Sequence, residues 1–336
     1  MRIHFFIIAI FILSLTSCVT SRVSQNETVL FPEGGKGKWW IINTILQDRN
    51  GKDVHFNSLV SIDKMGDKKY AACFVSVWNE KENTYYTATR TADVSEWKFK
   101  TKFPLRINFP GKDSLAMEWS LVLKRNGLNF LTELNNKTNA LPKSYTELSA
   151  GFNKQNPFSF SGISAGPQAW AVDPISADVK ISGNMQSSGS GKLLVRIFSD
   201  KEILLKKSSG AYVHWLDLAL SNGNQLSILF STDAASNIKT EAVLLWNEQG
   251  NIMARPQMIL QKENNNKGEI NSLTKLYPLS FSIELPEQKL DLVLQPRMMQ
   301  QEVTANKNSF WMGAVEAMDK KSGQAAGKGN MYIFKQ

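Results

Sequence analysis

The sequence predicts an all-β protein, and three features carry that prediction. Short apolar or alternating runs recur between turn residues along most of the 336-residue chain, as is typical of strands. Almost no stretch sustains the 3.6-residue apolar period of an amphipathic helix. Several runs are separated by Asn-Gly or other glycine-containing turns at hairpin spacing. Together these features favour a sandwich or an up-and-down barrel of antiparallel strands.

The chain opens with a segment that has the order and length of a bacterial lipoprotein signal. Arg2 precedes the apolar run 5–15, which is shorter than the ~20 residues that a membrane-spanning helix needs. Leu15-Thr16-Ser17-Cys18 follows and resembles a lipobox, in which the thiol is alkylated with diacylglycerol before cleavage. We therefore predict a signal peptide over residues 1–17 and a lipidated Cys18, carrying acyl chains such as palmitate. An ordinary secretory signal or a short anchor helix is the alternative.

The residues after Cys18 predict where the lipidated chain resides. Val19-Thr20 lacks the aspartate that resembles an inner-membrane retention signal, so an outer-membrane lipoprotein facing the periplasm or the cell surface is expected. Residues 18–30 are polar and without period, as expected for a tether. The lipid bilayer is thus the predicted partner, reached through the anchor.

Charge and cysteine content exclude several classes of function. Removing residues 1–17 takes away one basic residue, Arg2, and leaves 38 basic against 30 acidic residues. The excess is scattered without a run of like charges, so we predict no nucleic-acid partner. Cys73 lies in an apolar stretch and is expected to be a buried structural thiol. We predict no disulfide framework and no cofactor.

The first hairpin is expected at the start of the folded body. Strand-like runs at 39–46 and 54–63 flank the turn 47–51. The Asn50-Gly51 step supplies the positive φ that a tight turn requires. We therefore predict two adjacent antiparallel strands here.

Three further hairpins follow along the chain. Each joins two strand-like runs through a turn that contains glycine, the residue that adopts positive φ without steric cost. The pairs are 115–124 with 129–134 around 125–127, 214–220 with 226–231 around 221–224, and 240–246 with 252–260 around 247–250.

Two stretches interrupt the strand pattern. Residues 159–173 contain Gly162, Gly166 and Pro167 and are expected to link two β domains. Residues 263–271 include three consecutive asparagines and are expected to form an exposed loop. We predict a first domain over residues 31–165 and a second over residues 166–336, both of ordinary domain size.

A series of short motifs recurs in order over nearly the whole mature chain. They are Phe31-Pro32, Lys38-Trp39-Trp40-Ile41, Leu46 with the turn 48–51, Trp215 with the hairpin 216–229, Tyr277-Pro278, Leu285-Pro286, and the runs 290–296, 310–315 and 327–332. This order resembles the lipocalin-like family of carotenoid 1,2-hydratase (hydroxyneurosporene synthase) and the AttH-type predicted secreted hydrolases. The resemblance implies two lipocalin-like (calycin-type) antiparallel β-barrels packed side by side, each suited to an apolar molecule. It also implies hydratase, lyase or isomerase chemistry on terpenoid-like substrates.

Polar positions of the family pattern differ in this chain. In the Glu-Trp-Trp-Tyr signature, Lys38 replaces the acid and Ile41 the tyrosine. In the Trp-Asp-Trp segment, Val213 and His214 replace the first tryptophan and the acid. In the closing Trp-Glu-Gly, Met312 replaces the glutamate. Because proton-transferring groups are replaced while apolar ones remain, the pattern favours binding over catalysis.

Aromatic and histidine side chains supply the candidate ligand contacts. Adjacent strand residues point to opposite faces, so one of the Trp39–Trp40 pair can face a pocket. Packing of these side chains in cores is the alternative, because tryptophan fills apolar space well. The candidates are Trp39, Trp40, His55, His214, Trp215 and Trp311.

Few titratable groups offer catalysis or metal binding. His214, Asp217 and Glu118 are the candidate catalytic residues. His214 shares a strand face with Leu216 and Leu218, which also fits a hydrogen-bonded core histidine. No spacing among the histidines and acids matches a zinc ligand set, so no metal site is predicted.

Three functions remain open on the sequence. The first is a lipid-anchored envelope protein that binds an apolar or amphipathic small molecule. The second is a hydratase, lyase or hydrolase acting on a terpenoid-like or lipid-like substrate. The third is a structural protein whose barrels are filled by their own side chains. The shape and lining of the barrel interiors separate them.

Overall fold

The computed structural model describes most of the chain from residue 38 onward. The described residues are 38–47, 50–65, 68–93, 98–100, 105–109, 119–124, 127–136, 144–152, 162–164, 169–183, 187–198, 212–233, 235, 237–254, 256–262, 269–272, 275–298, 301–305 and 308–335. The signal peptide, Cys18 and the tether therefore lie outside them, as does Glu118. Within the described part of the chain, no helix has the length and apolar character needed to span a bilayer.

The strands fall into two large antiparallel sheets and one small one. The first sheet contains β1 (Lys38–Gln47), β2 (Asp53–Met65), β3 (Lys68–Asn79), β4 (Thr84–Asp93), β5 (Lys98–Lys100), β6 (Leu105–Phe109), β7 (Trp119–Lys124), β8 (Gly127–Asn136), β9 (Ser144–Phe152), β10 (Gly162–Ser164), β11 (Ala169–Val172), β12 (Ile175–Gly183) and β13 (Ser187–Phe198). The second contains β14 (Tyr212–Leu220), β15 (Gln225–Thr232), β16 (Ile238–Trp246), β17 (Ile252–Ala254), β18 (Ile259–Lys262), β21 (Phe281–Leu285), β22 (Leu290–Pro296), β23 (Glu302–Ala305), β24 (Asn308–Asp319) and β25 (Ala325–Lys335). β19 (Glu269–Ser272) pairs with β20 (Lys275–Pro278), and a short 3-10 helix covers Pro286–Gln288.

The two large sheets differ in how their strand pairings end. In the first sheet the pairing runs from β1 through β2, β3, β4, β8, β9, β12 and β13 and back to β1, so eight strands form a ring. In the second sheet the order β17-β16-β15-β14-β25-β24-β22-β21-β18 is an open path. The prediction of an all-β, antiparallel fold is confirmed, with the described strands in two large sheets. The sequence predicted two closed barrels, and two full barrels are not demonstrated, because the pairings of the described strands leave the second sheet open.

The four predicted hairpin pairings are confirmed, but the second arm of the fourth is shorter than the predicted run 252–260. It ends at Ala254, and residues 259–260 belong to β18, which pairs with β21. The structure pairs β1 with β2, β7 with β8, β14 with β15, and β16 with β17. Gly51 has φ +73°, and Gly223 and Gly250 both have φ +83°, the left-handed region that these turns require and that glycine adopts freely.

The change from one sheet to the other falls between Phe198 and Tyr212. The predicted boundary at residues 165–166 lies inside the first sheet, because β10 to β13 all belong to it. β10 and β11 have three and four residues, too few to show the alternation by which strands are recognised. The predicted loop 263–271 likewise runs into β19 at Glu269.

The sheets pack face to face through alternate residues of their strands. On β1, Trp39 and Ile41 join the core between the sheets, whereas Trp40 and Ile42 point to the opposite side, because side chains alternate along a strand. Trp39 lies edge-on to Phe310 and Phe334 of the second sheet, with ring centroids 6.4 and 6.2 Å apart. Aromatic rings in this geometry add to the stabilisation from burial alone.

The other face of the second sheet packs over a separate apolar core. Leu216 and Leu218 of β14 lie in it with Phe281 of β21 and Trp311 of β24, all fully buried. The second sheet thus buries a large apolar cluster on the face turned away from the first sheet.

Candidate ligand site between the sheets

A crevice of about 380 Å³ lies between the two sheets. This volume falls at the lower end of the range for small-molecule pockets, roughly 300–1,000 Å³. Its lining residues are Ile45, Gln47, Ser176, Ala177, Asp178, Ser190, Gly191, Lys192, Leu194, Asp217, Ala219, Gln225 and Lys328. The first sheet supplies one wall and the second sheet the other.

Strand pairing explains why these side chains meet. On the first sheet, Ile45 lies opposite Lys192 of β13, so the two share the face that looks toward the second sheet. On the second, Ala219 of β14 lies opposite both Gln225 of β15 and Lys328 of β25. Alternation along each strand then places every second residue in the crevice.

A glycine allows the first wall to form. A Cβ added at Gly191 would lie 2.6 Å from the carbonyl oxygen of Ile45, a distance that real Cβ atoms do not adopt. β13 can therefore approach β1 this closely only with glycine at that position.

Asp217 occupies the buried end of the crevice, with 1% of its surface exposed. Its Oδ1 accepts hydrogen bonds from Nη2 and Nε of Arg196 at 2.7 and 3.1 Å and from Oγ of Ser227 at 2.7 Å. Its Oδ2 accepts one from Nδ2 of Asn43 at 3.0 Å. Four donor atoms, two of them from the guanidinium of Arg196, therefore engage both oxygens of this side chain.

Arg196 is equally buried and joins the two sheets. Its guanidinium lies over the rings of Trp215 and Trp246, 5.9 and 5.4 Å from their centroids. Nε1 of Trp246 in turn donates to Oδ1 of Asp173 at 2.6 Å. A planar guanidinium suits both the carboxylate and the aromatic faces, so Arg196 connects the crevice to the aromatic core.

Two lysines border the outer part of the crevice. Lys328 is paired with Asp53 of the first sheet. Lys192 is half-buried and donates from Nζ to Oγ of Ser176 at 2.8 Å and to the backbone oxygen of Glu248 at 2.9 Å. Burial lowers the pKa of Lys192, and the negative charge of Glu248 opposes that effect.

Further polar contacts cross the interface beside the crevice. The hydroxyl of Tyr332 donates to Oδ1 of Asn57 at 2.7 Å, and Nδ1 of His55 lies 2.9 Å from Oδ1 of Asn330. Burial lowers the pKa of His55 to about 4, although the bond to Asn330 opposes the shift. Burial, helped by the charge of Asp217, raises the pKa of Tyr332 well above its usual range. Both groups are neutral at pH 7 and serve as hydrogen-bonding groups.

The predicted ligand contacts divide among three environments. Trp39 and Trp215 lie in the core between the sheets, and His55 bonds across the same interface. Trp40 points to the inside of the strand ring and is 1% exposed. Trp311 lies in the core of the second sheet. None of these five lines the crevice.

His214, the sixth predicted contact, is a core residue. Its ring stacks on Phe230 at 4.3 Å, and its Nε2 lies 3.2 Å from Oγ1 of Thr232. Burial lowers its pKa to about 3. Asp217 is thus the one described candidate of the sequence analysis that borders the crevice.

The residues of β13 that face Asp217 were not among the predicted site residues. Lys192, Leu194 and Arg196 alternate with the buried residues Leu193 and Val195. Two cations at alternate positions of an otherwise apolar strand were the available signal. Such a pattern indicates a strand face that meets charged partners rather than lipid or core.

The chemistry of the crevice favours recognition. Within the described residues, no three His, Cys, Asp or Glu side chains are grouped so as to hold a metal ion. The carboxylate at the buried end is engaged by Arg196. The crevice therefore offers apolar surface, fixed charges and amide groups.

Comparison with known proteins identifies the fold. No protein-family profile matches the chain, and no curated protein matches it. Among solved structures, an AttH-like protein from Nitrosomonas europaea has 15% sequence identity and a TM-score of 0.61, over 89% of this chain and 92% of that one. Kievitone hydratase from Nectria haematococca has 12% identity and a TM-score of 0.56, over 96% of this chain and 95% of that one.

These two similarities extend over nearly the full length of all three chains. Identities of this size establish shared architecture and leave the activity to be argued from the site. The resemblance that the sequence motifs indicated is confirmed at the level of the fold. The chain has the two-sheet, all-β fold of the AttH-like protein and of kievitone hydratase.

Proposed function

We propose that this protein is a lipid-anchored cell-envelope protein that binds an amphipathic small molecule in the crevice between its two sheets. The observation that carries the proposal is the crevice itself, a volume of about 380 Å³ lined by both apolar and polar side chains of the two sheets. The other face of the second sheet, by contrast, packs on a cluster of buried apolar side chains. In this proposal the two sheets correspond to two lipocalin-like units packed side by side.

The lining of the crevice suits a molecule with one apolar and one polar end. Leu194 and Ala177 are buried, and Ile45 beside them is partly exposed. Ser176 and Ser190 on the rim are exposed. Covering apolar surface that is open to solvent lowers the free energy of the complex and so favours binding. The polar groups at the rim can orient the polar head of the ligand.

Binding is favoured over catalysis because the buried acid is already engaged. A general acid must give up a proton near neutral pH. Both side-chain oxygens of Asp217 already accept hydrogen bonds within the protein, from Arg196, Asn43 and Ser227. His55 and His214 are fully buried, so neither reaches a ligand in the crevice without rearrangement.

Titration of the purified mature domain with 1-octanol tests the proposal. We expect binding by isothermal titration calorimetry, because octanol has the length and polarity that the crevice fits. Ala219→Trp fills the crevice and should weaken binding at least tenfold. Ala325→Trp, at an exposed position of β25, is the matched control and should bind as the unaltered protein does. No binding by the unaltered protein, or equal binding by Ala219→Trp, would contradict the proposal.

The anchor is tested separately. The proposal places diacylglycerol on Cys18, supported by the order of the apolar run and the lipobox-like residues. Metabolic labelling with a palmitate analogue in a bacterial host should label the unaltered chain and leave Cys18→Ser unlabelled. Label retained by Cys18→Ser would contradict lipidation at this residue.

A hydratase acting on a terpenoid-like substrate is the second candidate, favoured by the similarity to kievitone hydratase over nearly the whole chain. Asp217 would then have to move a proton at the crevice. Incubation with alkene-bearing terpenoids in ¹⁸O-labelled water, followed by mass spectrometry, tests it. Enzymatic incorporation of ¹⁸O that is lost in Asp217→Asn would support this candidate over simple binding.

A further inference from the structure

We propose that the ligand of the crevice is an amphipathic anion whose single charged group is held by Lys192. This inference rests on the proposed function and specifies the class of ligand. It rests on two observations: which charged side chains line the crevice, and which of them already have a partner of opposite charge.

Four charged side chains line the crevice: Asp178, Lys192, Asp217 and Lys328. Asp217 at the buried end is neutralised by Arg196 at 2.7 Å. Lys328 is neutralised by Asp53. Asp178 is exposed on the rim, where water solvates it. Lys192 is the remaining charged side chain of the four.

The hydrogen bonds described for Lys192 go to neutral oxygens. Its Nζ donates to the hydroxyl of Ser176 and to the backbone oxygen of Glu248. An ammonium group has three donors, so one more acceptor can be bound. The carboxylate of Glu248 acts on Lys192 at longer range, and the exposure of that side chain to solvent weakens its effect.

The position of Lys192 fits the head group of an amphipathic molecule. Lys192 is paired with Ile45 of the neighbouring strand β1, and Leu194 follows on the same face of β13. A ligand whose charged group meets Nζ can therefore place its apolar part along Ile45 and Leu194. Because Ser176 and Glu248 already fix the ammonium group, little side-chain entropy is lost on binding.

One cation with one available donor selects a monoanion. A carboxylate places a single oxygen within hydrogen-bond distance of Nζ and brings one compensating charge. A phosphate dianion would bring a second charge, which no other uncompensated cation among the lining residues would meet. The class of ligand is thus a carboxylate with an apolar chain.

The test compares octanoate with 1-octanol, which share the apolar chain and differ in the head group. Isothermal titration calorimetry at pH 7 should give octanoate about tenfold tighter binding, as expected for a hydrogen bond to a charged group. Lys192→Met should weaken octanoate binding about tenfold and abolish the preference, so that octanoate and octanol then bind with about equal affinity. Lys192→Arg keeps the charge and should retain most of the preference.

The outcomes separate this inference from the proposed function. Equal affinity for octanoate and octanol, or a preference that survives Lys192→Met, would overturn the inference while the crevice remains the binding site. Failure of both molecules to bind would overturn the proposed function together with it. Circular dichroism of each variant checks that the fold is retained, and Lys192→Arg keeps the test decisive if Lys192→Met does not fold.

Discussion

The region between the sheets and the core of the second sheet are both buried, but their contents differ. The region between the sheets combines aromatic side chains with a buried ion pair, Arg196 with Asp217, and with Asn43 and Tyr332. The core of the second sheet consists mainly of aliphatic and aromatic side chains, with His214 hydrogen-bonded to Thr232 beside them. Burying polar groups costs free energy unless they are hydrogen-bonded. The region between the sheets therefore carries a desolvation cost for its buried polar and charged groups, which is largely absent from the core of the second sheet.

This difference indicates where function resides. A core that serves stability alone is best filled with apolar side chains at high density, and the core of the second sheet is a cluster of buried apolar side chains. A buried ion pair is weak evidence for stability, because apolar residues of similar volume often replace it without loss. The polar network beside the crevice therefore supports the proposed ligand site.

The largest effect is expected from truncation in the apolar core. Trp311→Ala removes a fully buried indole and should lower the free energy of unfolding by about 4 kcal/mol. Urea denaturation measures this loss, and Trp311→Phe, which leaves a smaller cavity, should lose less. The affinity of the folded protein for octanol should stay within twofold. A large loss of octanol binding by folded Trp311→Ala would mean that the core of the second sheet is part of the ligand site.

The next largest loss of stability is expected from breaking the ion pair between the sheets. Asp217→Leu leaves the guanidinium of Arg196 buried without its carboxylate and should cost about 3 kcal/mol in urea denaturation. The double variant Arg196→Met/Asp217→Leu should lose clearly less than the sum of the two single losses, because neither charge is then left alone. Additive losses would show that the two side chains do not act as a pair.

The two buried histidines predict a loss of stability in acid. Burial lowers the pKa of His55 to about 4 and that of His214 to about 3, below the value near 6.5 expected in the unfolded chain. The unfolded state therefore binds more protons in this range, and the stabilisation present above pH 6.5 is lost as the pH falls.

Between pH 6.5 and 5 each histidine should contribute a loss on the order of 2 kcal/mol. Asp53, Lys328 and Arg297 are the charged groups that act on His55. Urea denaturation at pH 6.5 and at pH 5 measures how much the free energy of unfolding falls between the two values. In His214→Phe this fall should be smaller by about half of the combined contribution of the two histidines. An unchanged pH dependence in this variant would contradict the neutral, buried state of His214.

The smallest effect comes from one hydrogen bond at the interface. Tyr332→Phe removes the donor to Asn57 and should cost about 1 kcal/mol by urea denaturation. Tyr86→Phe, which loses a bond to Glu82 at the exposed side, is a suitable control and should change stability by less than half as much. Equal losses for the two variants would mean that burial adds nothing to the bond of Tyr332.

Much of the fold could be predicted from local pattern. The hairpin around Gly51 and those around Gly223 and Gly250 follow from glycine at positive φ between alternating runs. The face shared by His214, Leu216 and Leu218 was also predictable from alternation, and two of these residues lie in the core of the second sheet. Both features depend on residues near each other in the chain.

The site could not be predicted in the same way. Asn43 and Asp217 are 174 residues apart in sequence, and their hydrogen bond exists because two different sheets meet. Asp53 and Lys328 are 275 residues apart. The sequence pattern also placed the domain boundary near residue 165, so β13 with Lys192 and Arg196 was assigned to the second domain, whereas the structure places it in the first sheet.

Photo-cross-linking with a diazirine analogue of 1-octanol, followed by peptide mass spectrometry, tests most directly whether the ligand lies between the sheets. We expect adducts on Ile45, Leu194 or Ala219, which line the crevice, and their loss in the presence of excess octanoate. Adducts confined to β21 and β22, whose buried side chains fill the core of the second sheet, would contradict the assignment of the site.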